Sequence, residues 1–403
     1  MLRKTSCNSP RKVAFALAKA MIEIMMVQRL ATQQFRNLED GELFPCEGVN
    51  VIYGDNAQGK TNLLEALWLF TGGHSFRGAK DSELPRLDPE TGENALSAAL
   101  ALDFFSEERP QKAILQIENG RRSSVINGVK KKTGSALVGK VRAVIFSPEH
   151  LLLVKEGPSR RRSFIDGALC QLKPSFAGAL STYNRALLQR NALLKDMIKF
   201  PELRDTLEVW DARLVKLGVN VMAERKAYVD RAQEAVQEIY DGISRGKEKI
   251  RIRYSPSVKV SVENFSFSKE EAEELFTQEL RRTLRSDMKS GFTSYGPHRD
   301  DLEIEINGLS ARAYGSQGQQ RSAVLALKLA EAETLSKLSG ETPIVLLDDV
   351  MSELDQSRQD YLLNHLHGRQ VFLTCCSPET VSLQETGKRF RVESGTFTPE
   401  EVL

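Results

Sequence analysis

The sequence contains few cysteines, the residues that cross-link a fold through disulfides or bound zinc. Its 403 residues include only five cysteines, and just one pair, Cys375 and Cys376, lies close together. An odd number of cysteines without metal-ligand spacing excludes a disulfide framework and a cysteine-type zinc site. So few cysteines also fit a reducing compartment, and we therefore expect the protein to be cytoplasmic.

Long apolar runs are also missing. No stretch approaches the ~18 consecutive apolar residues of a membrane-spanning helix. The short apolar run 13–18 follows four basic residues, but Lys19 and Glu23 come soon after it. A secretory signal would have a longer run and a small-residue cleavage site. We therefore predict no membrane segment, and we interpret residues 1–24 as an N-terminal extension that is disordered or precedes the true start.

Charge is abundant but balanced. Lys and Arg number 56 against 54 Asp and Glu, and 41% of the residues are hydrophobic. These values are ordinary for a folded globular protein, and about 150 residues per domain predicts two or three structural units. A net charge of +2 leaves nucleic-acid binding open until the charges are located along the chain.

The pattern of apolar residues changes twice along the chain. Residues 25–157 read as two short strands, a helix after Lys60, and hairpins marked by the Asn-Gly turns at 119–120 and 127–128. Residues 158–291 show a helical recurrence of apolar residues. Residues 292–403 return to strands, among them 302–306, 344–347 and 371–374, with a helix over 319–338. We therefore predict an α/β fold whose two sequence-distant halves are separated by a helical insertion.

One segment has the composition of a phosphate-binding loop. Residues 54–61 satisfy the pattern G-x-x-x-x-G-K-[ST], between a predicted strand and an apolar-faced helix. Glycines let backbone N–H groups turn toward phosphate oxygens at a helix N-terminus, Lys60 would contact the β- and γ-phosphates, and Thr61 would bind Mg²⁺. The predicted ATP contacts are Gly54, Asp55, Asn56, Ala57, Gln58, Gly59, Lys60, Thr61, Asn62 and Arg77, the last as a charge clamp on the phosphates.

A second buried strand supplies the acid that such a site needs. Four apolar residues at 344–347 precede Asp348 and Asp349. Because adjacent residues of a strand point to opposite sides, we predict different tasks for the two acids. Asp348 is expected in the Mg²⁺ shell, and Asp349 is expected to position or deprotonate the attacking water. With Lys60 these form the predicted catalytic set.

Basic residues are concentrated in two places. Residues 119–142 contain seven basic residues and no acid, and residues 155–162 contain four against one acid. Hairpin turns could display the first cluster as a ridge that follows a phosphate backbone, although either cluster could simply be a solvated face. Aromatic residues are sparse nearby, so we expect no stacking on single-stranded bases. The predicted DNA contacts are Arg121, Arg122, Lys130, Lys131, Lys132, Arg160, Arg161 and Arg162.

Further motifs resemble those of a known family. Residues 316–321, Ser-Gln-Gly-Gln-Gln-Arg, resemble the signature motif of ABC ATPases, and residues 352–355 resemble the D-loop that follows the acidic strand. The whole set is similar to the RecF family, relatives of the SMC proteins. The segments that carry this resemblance are 35–37, 54–66, 75–77, 146–149, 157–162, 296–301, 316–321 and 347–355.

The resemblance implies a function as well as a fold. It implies an ABC/SMC-head-like P-loop ATPase with an inserted helical arm, which uses ATP and Mg²⁺. It implies a homodimer in which Ser316, Gly318 and Gln319 of one subunit close over the ATP of the other. It further implies a slow, DNA-stimulated ATPase of recombinational repair and replication restart, which works with RecR and RecO to direct RecA onto gapped DNA.

Some features depart from the family pattern, and alternatives remain open. Residues 1–24 have no counterpart, Thr374 stands where ABC transporters carry a switch histidine, and residues 147–149 contain no glutamine. The cytoplasmic ATPase subunit of an ABC transporter would explain the phosphate loop and the signature, but not the basic hairpins. A nucleotide-locked scaffold that never hydrolyses ATP is the other alternative.

Overall fold

A computed structural model describes residues 23–88, 91–258, 268–378 and 387–400. The strands are β1 (Glu23–Ile24), β2 (Met26–Gln33), β3 (Gly41–Leu43), β4 (Val49–Tyr53), β5 (Ser97–Ser106), β6 (Arg109–Glu118), β7 (Arg121–Ile126), β8 (Val129–Lys131), β9 (Ala143–Phe146), β10 (Ile250–Ser255), β11 (Asp301–Ile306), β12 (Leu309–Ser310), β13 (Glu341–Thr342), β14 (Ile344–Asp348), β15 (Val371–Cys375), β16 (Lys388–Glu393) and β17 (Thr396–Glu400). The α-helices are α1 (Lys60–Leu69), α2 (Pro158–Leu172), α3 (Pro174–Asp196), α4 (Arg204–Ser244), α5 (Lys269–Ser290), α6 (Ala311–Tyr314), α7 (Gln317–Ser339) and α8 (Gln356–His365).

The chain divides into two compact units. The first comprises Met1–Phe146, Ala332–Glu353 and Leu363–Leu403, and the second comprises Ser147–Glu331 and Leu354–Leu362. The second unit therefore extends beyond the predicted insertion, 158–291, on both sides. At the other end of the chain, Glu23 and Ile24 form β1, which pairs with β13, so these two residues are part of the fold rather than of the predicted extension. Residues 1–22 lie outside the described residues.

The first unit contains a six-stranded sheet in the order β17-β16-β4-β15-β14-β9. All its neighbouring pairs are parallel except β16 with β17. β14 lies between β15 and β9 and is buried along its whole length, and its run of Ile, Val and Leu is typical of strands in buried parallel sheets. The predicted strands 344–347 and 371–374 are confirmed, and they pair as parallel neighbours. Consequently the carboxyl ends of β4, β15 and β14 meet at one edge, where ligands bind in such sheets.

A second six-stranded sheet of this unit is antiparallel, in the order β3-β2-β5-β6-β7-β8. Its hairpins turn at the predicted Asn-Gly pairs, where Asn119, Gly120, Asn127 and Gly128 all have φ between 49° and 82°. Such left-handed turns match the twist of the strands that they join. The prediction of two strands in the preceding region was incomplete, because the chain there forms β2, β3 and β4 and divides them between the two sheets.

The second unit combines helices α2–α5 with the three-stranded sheet β10-β11-β12. β10 lies inside the segment predicted to be helical, so that prediction was wrong for residues 250–255. Its Ile-Arg-Ile-Arg-Tyr-Ser sequence alternates in burial and pairs antiparallel with β11 over six residues. This pairing is the reason why β11 belongs to the second unit.

The Gly-Pro-His-Arg-Asp-Asp segment at 296–301 is a polar junction of the second unit, buried at Gly296, Pro297 and Asp300. Asp300 accepts hydrogen bonds from the Tyr254 hydroxyl and from the Ser257 N–H at 2.6 Å, and Asp301 accepts a bidentate contact from Arg161 at 2.6 and 2.9 Å. His298 contacts the Tyr183 hydroxyl at 2.7 Å and the Thr293 carbonyl at 3.0 Å. Burial lowers the pKa of His298 to about 4, so the ring is neutral at pH 7.

Arg190 is the buried centre of the helical part. Its side chain is fully buried and donates to Asp211 at 2.6 Å, Asp287 at 3.0 Å and the Thr293 hydroxyl at 2.9 Å. Because the Asp287 side chain is also fully buried, the two carboxylates depend on this guanidinium for charge compensation.

We predict that Arg190→Ala lowers the free energy of unfolding of the second unit by about 3 to 5 kcal/mol, because it leaves buried carboxylates unpaired. Chemical denaturation followed by circular dichroism measures this change. Arg185→Ala, an exposed arginine on the same helix, is the matched control and should change it by less than about 0.5 kcal/mol. Equal effects of the two substitutions would contradict the assignment.

Candidate nucleotide-binding site

The predicted phosphate loop connects β4 to α1, as the sequence indicated. Gly54 has φ 150°, and a Cβ there would lie 2.2 Å from the carbonyl oxygen of Val392. Gly59 has φ 116° and a Cβ there would lie 2.8 Å from the Leu38 side chain. Both positions therefore require glycine, on steric as well as conformational grounds. Gly59 directly precedes Lys60, the first residue of α1, so the loop ends at a helix N-terminus.

The loop is held by hydrogen bonds along its length. Lys60 is buried, and its ammonium donates to the carbonyl oxygens of Gly54 at 2.5 Å and Asp55 at 3.0 Å. The Gln58 side chain accepts from the Ser394 N–H at 2.5 Å. The Ala57 carbonyl accepts from Asn37 at 3.0 Å. The loop is thus braced from both sides while Asp55, Asn56 and Ala57 remain exposed at its tip.

Thr61 and Asp348 meet at the sheet edge. The Thr61 hydroxyl donates to Asp348 Oδ1 at 2.8 Å, and the Thr374 hydroxyl donates to the same oxygen at 3.0 Å. Burial raises the pKa of the Asp348 carboxyl, against the effect of these two hydrogen bonds. A bound divalent cation would relieve the cost of holding this carboxylate ionised. One hydroxyl and one carboxylate also fit Mg²⁺, which takes few protein oxygens and completes its shell with phosphate and water.

Asp349 lies just beyond β14, and its backbone is not extended. It has φ 50°, its N–H donates to the Thr374 hydroxyl at 2.9 Å, and its carbonyl accepts from Ser352 at 2.8 Å. The two acids therefore differ because the chain turns after Asp348, and not because they alternate along one strand as we argued from the sequence. The role predicted for Asp349 stays a prediction.

Thr374 is a site residue whose role the sequence alone does not reveal. It stands where ABC transporters carry a switch histidine, and in the structure it contacts both acids. The feature that points to Thr374 is the pairing of the two strands. β15 is the parallel neighbour of β14, and their register places Thr374 opposite Asp348. The sequence could suggest that pairing, but not the register.

Arg77 and Asn62 lie beside the loop in a small polar network. Arg77 is exposed and donates to Asn62 Oδ1 at 2.9 Å, and Asn62 donates to Asn37 at 2.6 Å. Beneath them, the fully buried Glu65 of α1 accepts from Arg36 at 2.8 and 3.0 Å, and from the Ser75 hydroxyl. The segments 35–37 and 75–77 are thereby fastened to α1.

The signature residues begin helix α7 in the second unit. The Ser316 hydroxyl accepts from the Gln319 N–H at 3.2 Å, and Gln319 Oε1 accepts from the Ser316 N–H at 2.8 Å. This reciprocal pair is a capping box, which leaves an exposed serine at a helix N-terminus. Arg358 donates to the Gly318 carbonyl at 3.1 Å and to the Ser322 hydroxyl at 2.9 Å. The segment is therefore rigidly supported from its own unit.

The residues predicted to contact DNA fall into two groups. Some are exposed, and others are paired with groups of the protein itself. Arg121 and the lysines 130–132 are exposed on the edge of the antiparallel sheet. Arg122 is nearly buried and donates to Asp81 at 2.9 Å and to the Gly73 carbonyl at 2.6 Å. Arg161 is buried against Asp301. The expectation that Arg122 and Arg161 contact DNA is corrected, because both guanidinium groups neutralise protein carboxylates instead.

The two remaining arginines of the second cluster are also engaged. Arg160 pairs with Glu156, with about two fifths of its side chain exposed. Arg162 is half-buried and donates to the Asp300 carbonyl at 2.7 Å, and burial lowers its pKa. Residues 155–162 are therefore a weaker DNA candidate than the edge of the antiparallel sheet.

Comparison with known proteins decides the family. The model of the RecF/RecN/SMC N terminal domain matches residues 26–397. The protein named DNA replication and repair protein RecF from Acetivibrio thermocellus is 42% identical over 375 residues, which cover 92% of this chain and 99% of the relative. This chain belongs to the RecF family. The protein of the same name from Agathobacter rectalis is 40% identical and covers 87% of this chain and 92% of the relative.

Solved structures agree with the RecF assignment. The structure described as the recombination mediator protein RecF-ATPrS in the RecFOR pathway has a TM-score of 0.86 and 36% identity, covering 94% of this chain and 99% of that one. An SMC head domain from Pyrococcus furiosus has a TM-score of 0.53 at 17% identity, which shows the shared fold. The predicted family and the SMC-head-like fold are confirmed, and these relatives do not favour a transporter ATPase. Among the described helices, none is long and apolar enough to cross a membrane.

For this RecF-family site we predict that Thr374→Val lowers kcat for ATP hydrolysis about tenfold, because it removes the hydrogen bond donated to the Asp348 carboxylate and the acceptor of the Asp349 N–H. Steady-state ATPase assays measure the change. Thr374→Ser keeps the hydroxyl and should retain most of the activity. A valine variant with full activity would show that these contacts do not matter for turnover.

Proposed function

We propose that this protein is an ATP-dependent DNA-binding protein of the RecFOR pathway, acting in recombinational repair and replication restart. The observation that carries the proposal is the contact between Thr61, at the end of the phosphate loop, and Asp348, at the end of a buried strand. It supports the proposal because a hydroxyl after the phosphate loop and a carboxylate after a buried strand are the groups that hold the cation in P-loop ATPases. The RecF relatives, named for DNA replication and repair, and the RecF structure named with an ATP analogue support the same function.

In this proposal different residues of the chain bind the phosphates of ATP, hold the cation and position the attacking water. The loop N–H groups and the Lys60 ammonium bind the phosphates, and Lys60 exchanges its carbonyl partners for phosphate oxygens. Thr61 and Asp348 would hold Mg²⁺, which would neutralise phosphate charge. Asp349 orients the attacking water, and Arg77 stabilises charge on the phosphates.

The proposal includes an ATP-dependent homodimer. The signature segment presents the exposed Ser316 and the N-terminus of α7, a 23-residue helix, and such a terminus favours anions through its unpaired N–H groups and its dipole. In the dimer, Ser316, Gly318 and Gln319 of one protomer close over the phosphates held by the other. Hydrolysis then separates the two protomers, so that ATP acts as a switch.

The DNA-binding surface of this proposal is the edge of the antiparallel sheet. Arg121 and the exposed lysines of β8 and its flank carry charge with no acidic residue between 119 and 142. Contacts made by such residues are directed to the phosphate backbone and therefore carry little sequence preference. We further propose a slow ATPase that DNA stimulates, a cytoplasmic location, and action with RecR and RecO to load RecA on gapped DNA.

We predict that Lys60→Met abolishes ATP-dependent dimerisation, because the loop loses the cation that pairs with the β- and γ-phosphates. Analytical ultracentrifugation with and without ATP and Mg²⁺ measures the association. Lys216→Met, an exposed lysine of the second unit, is the control and should dimerise like the wild type. If the wild-type protein sediments identically with and without ATP, the proposed switch is refuted. If the protein does not hydrolyse ATP in a single-turnover assay, the nucleotide-locked scaffold is favoured instead.

We predict that the double substitution Lys130→Glu and Lys132→Glu weakens duplex binding and lowers the slope of log affinity against log salt by about 2, at ~0.9 per phosphate contact. Fluorescence anisotropy on duplex, gapped and single-stranded DNA over a salt series measures both quantities. The same charge change at the exposed residues Lys199 and Lys216 is the control. An unchanged slope in the first variant would remove this edge from the DNA-binding surface.

A further inference from the structure

The signature glutamine contacts a carboxylate that lies just beyond the end of α4. Gln319 Nε2 donates to Glu248 Oε1 at 2.6 Å, while its Oε1 accepts from the Ser316 N–H. Glu248 lies between α4, which is 41 residues long, and β10. Within the second unit, a carboxylate that follows α4 therefore holds a residue of the signature segment.

The chemistry of the two neighbours determines how the Gln319 amide is oriented. An amide can be turned either way, and its two ends are distinguished only by their partners. The Ser316 N–H can only donate, and an ionised Glu248 can only accept. The amide oxygen must therefore face Ser316, which closes the capping box. Without Glu248, the amide could turn and leave the backbone N–H of Ser316 without its acceptor.

Glu248 is itself held in place by the arm and the sheet. Its other oxygen accepts from the Tyr240 hydroxyl of α4 at 2.8 Å. The next residue, Lys249, exchanges two hydrogen bonds with Asn307, at 2.9 Å and 2.8 Å. Gln233 of α4 accepts from the Ile252 N–H at 2.6 Å, which ties β10 to the same helix. The position of Glu248 therefore follows that of α4.

We propose that Glu248 is a positioning residue that fixes the signature Gln319 and so couples the helical arm to ATP-dependent dimerisation. The proposal rests on the function proposed above, because the signature has to meet the partner's ATP for its orientation to matter. A force on the helical insertion that displaces α4 also moves Glu248. The capping box then opens, and the ATP-dependent dimer is weakened. Glu248 is not one of the residues assigned to binding the phosphates or the cation, so we expect nucleotide binding by the single protomer to be unchanged.

The test is a double-mutant cycle on the full chain. Glu248→Ala should raise the dissociation constant of the ATP-dependent dimer about tenfold and lower kcat similarly, because a charge-assisted hydrogen bond is lost. The affinity of the protomer for a fluorescent ATP analogue should stay within twofold. Gln319→Ala should reproduce the defect, and the combined variant should be no worse than Gln319→Ala alone. Glu248→Gln, which keeps an acceptor in the same place but loses the charge and adds a donor, should recover only part of the dimerisation.

Controls separate failure of this inference from failure of the proposed function. Glu238→Ala, an exposed glutamate of α4, should dimerise like the wild type. If the wild type does not dimerise with ATP, the proposed function fails and this inference fails with it. If the wild type dimerises and Glu248→Ala does so equally well, or if the two substitutions add, only this inference is overturned. If Glu248→Ala does not fold, Tyr240→Phe is the alternative variant, because it removes one hydrogen bond to the same carboxylate. It should raise the dissociation constant of the dimer about threefold. An unchanged dissociation constant would overturn the inference.

Discussion

The contact between Thr61 and Asp348 joins two segments that are 287 positions apart in the chain. It depends on the parallel order β4-β15-β14, which brings the start of α1 and the end of β14 to one edge of the sheet. Thr374 sits on the strand between them and contacts both acids. The phosphate loop, the cation-binding oxygens and the residue proposed to activate water are therefore aligned by strand order and register, although they come from distant parts of the sequence.

Buried charged side chains also hold separate segments of the chain together within each unit. Glu65 fastens two loop segments to α1, Arg190 joins three parts of the helical arm, and Asp300 joins β10 to the junction at 296–301. A carboxylate or guanidinium placed out of water is tolerated only when its partners are in the right positions. These networks therefore favour one packing over its alternatives. They also explain why polar segments that resemble a family signature can be structural rather than catalytic.

The predictions succeeded where neighbouring residues decide the outcome. The Asn-Gly hairpins, the glycines of the phosphate loop and the buried strand before Asp348 follow from φ preference, sterics and apolar runs within a few positions. They failed where a distant partner decides. Residues 250–255 form a strand because β11 pairs with them, and Arg122 and Arg161 are buried because Asp81 and Asp301 lie opposite, 41 and 140 positions away. A basic run carries no sign of such partners.

The sequence by itself determined the phosphate loop, the turns, the family and the existence of a helical insertion, because each is encoded by short-range pattern or by motifs that can be compared directly. Only the tertiary structure decided which hydroxyls meet Asp348, which arginines are free to contact a phosphate backbone, and which carboxylate holds the signature glutamine. Those choices depend on the register of strands and the packing of helices, which bring together residues whose separation along the chain gives no local clue to their contact.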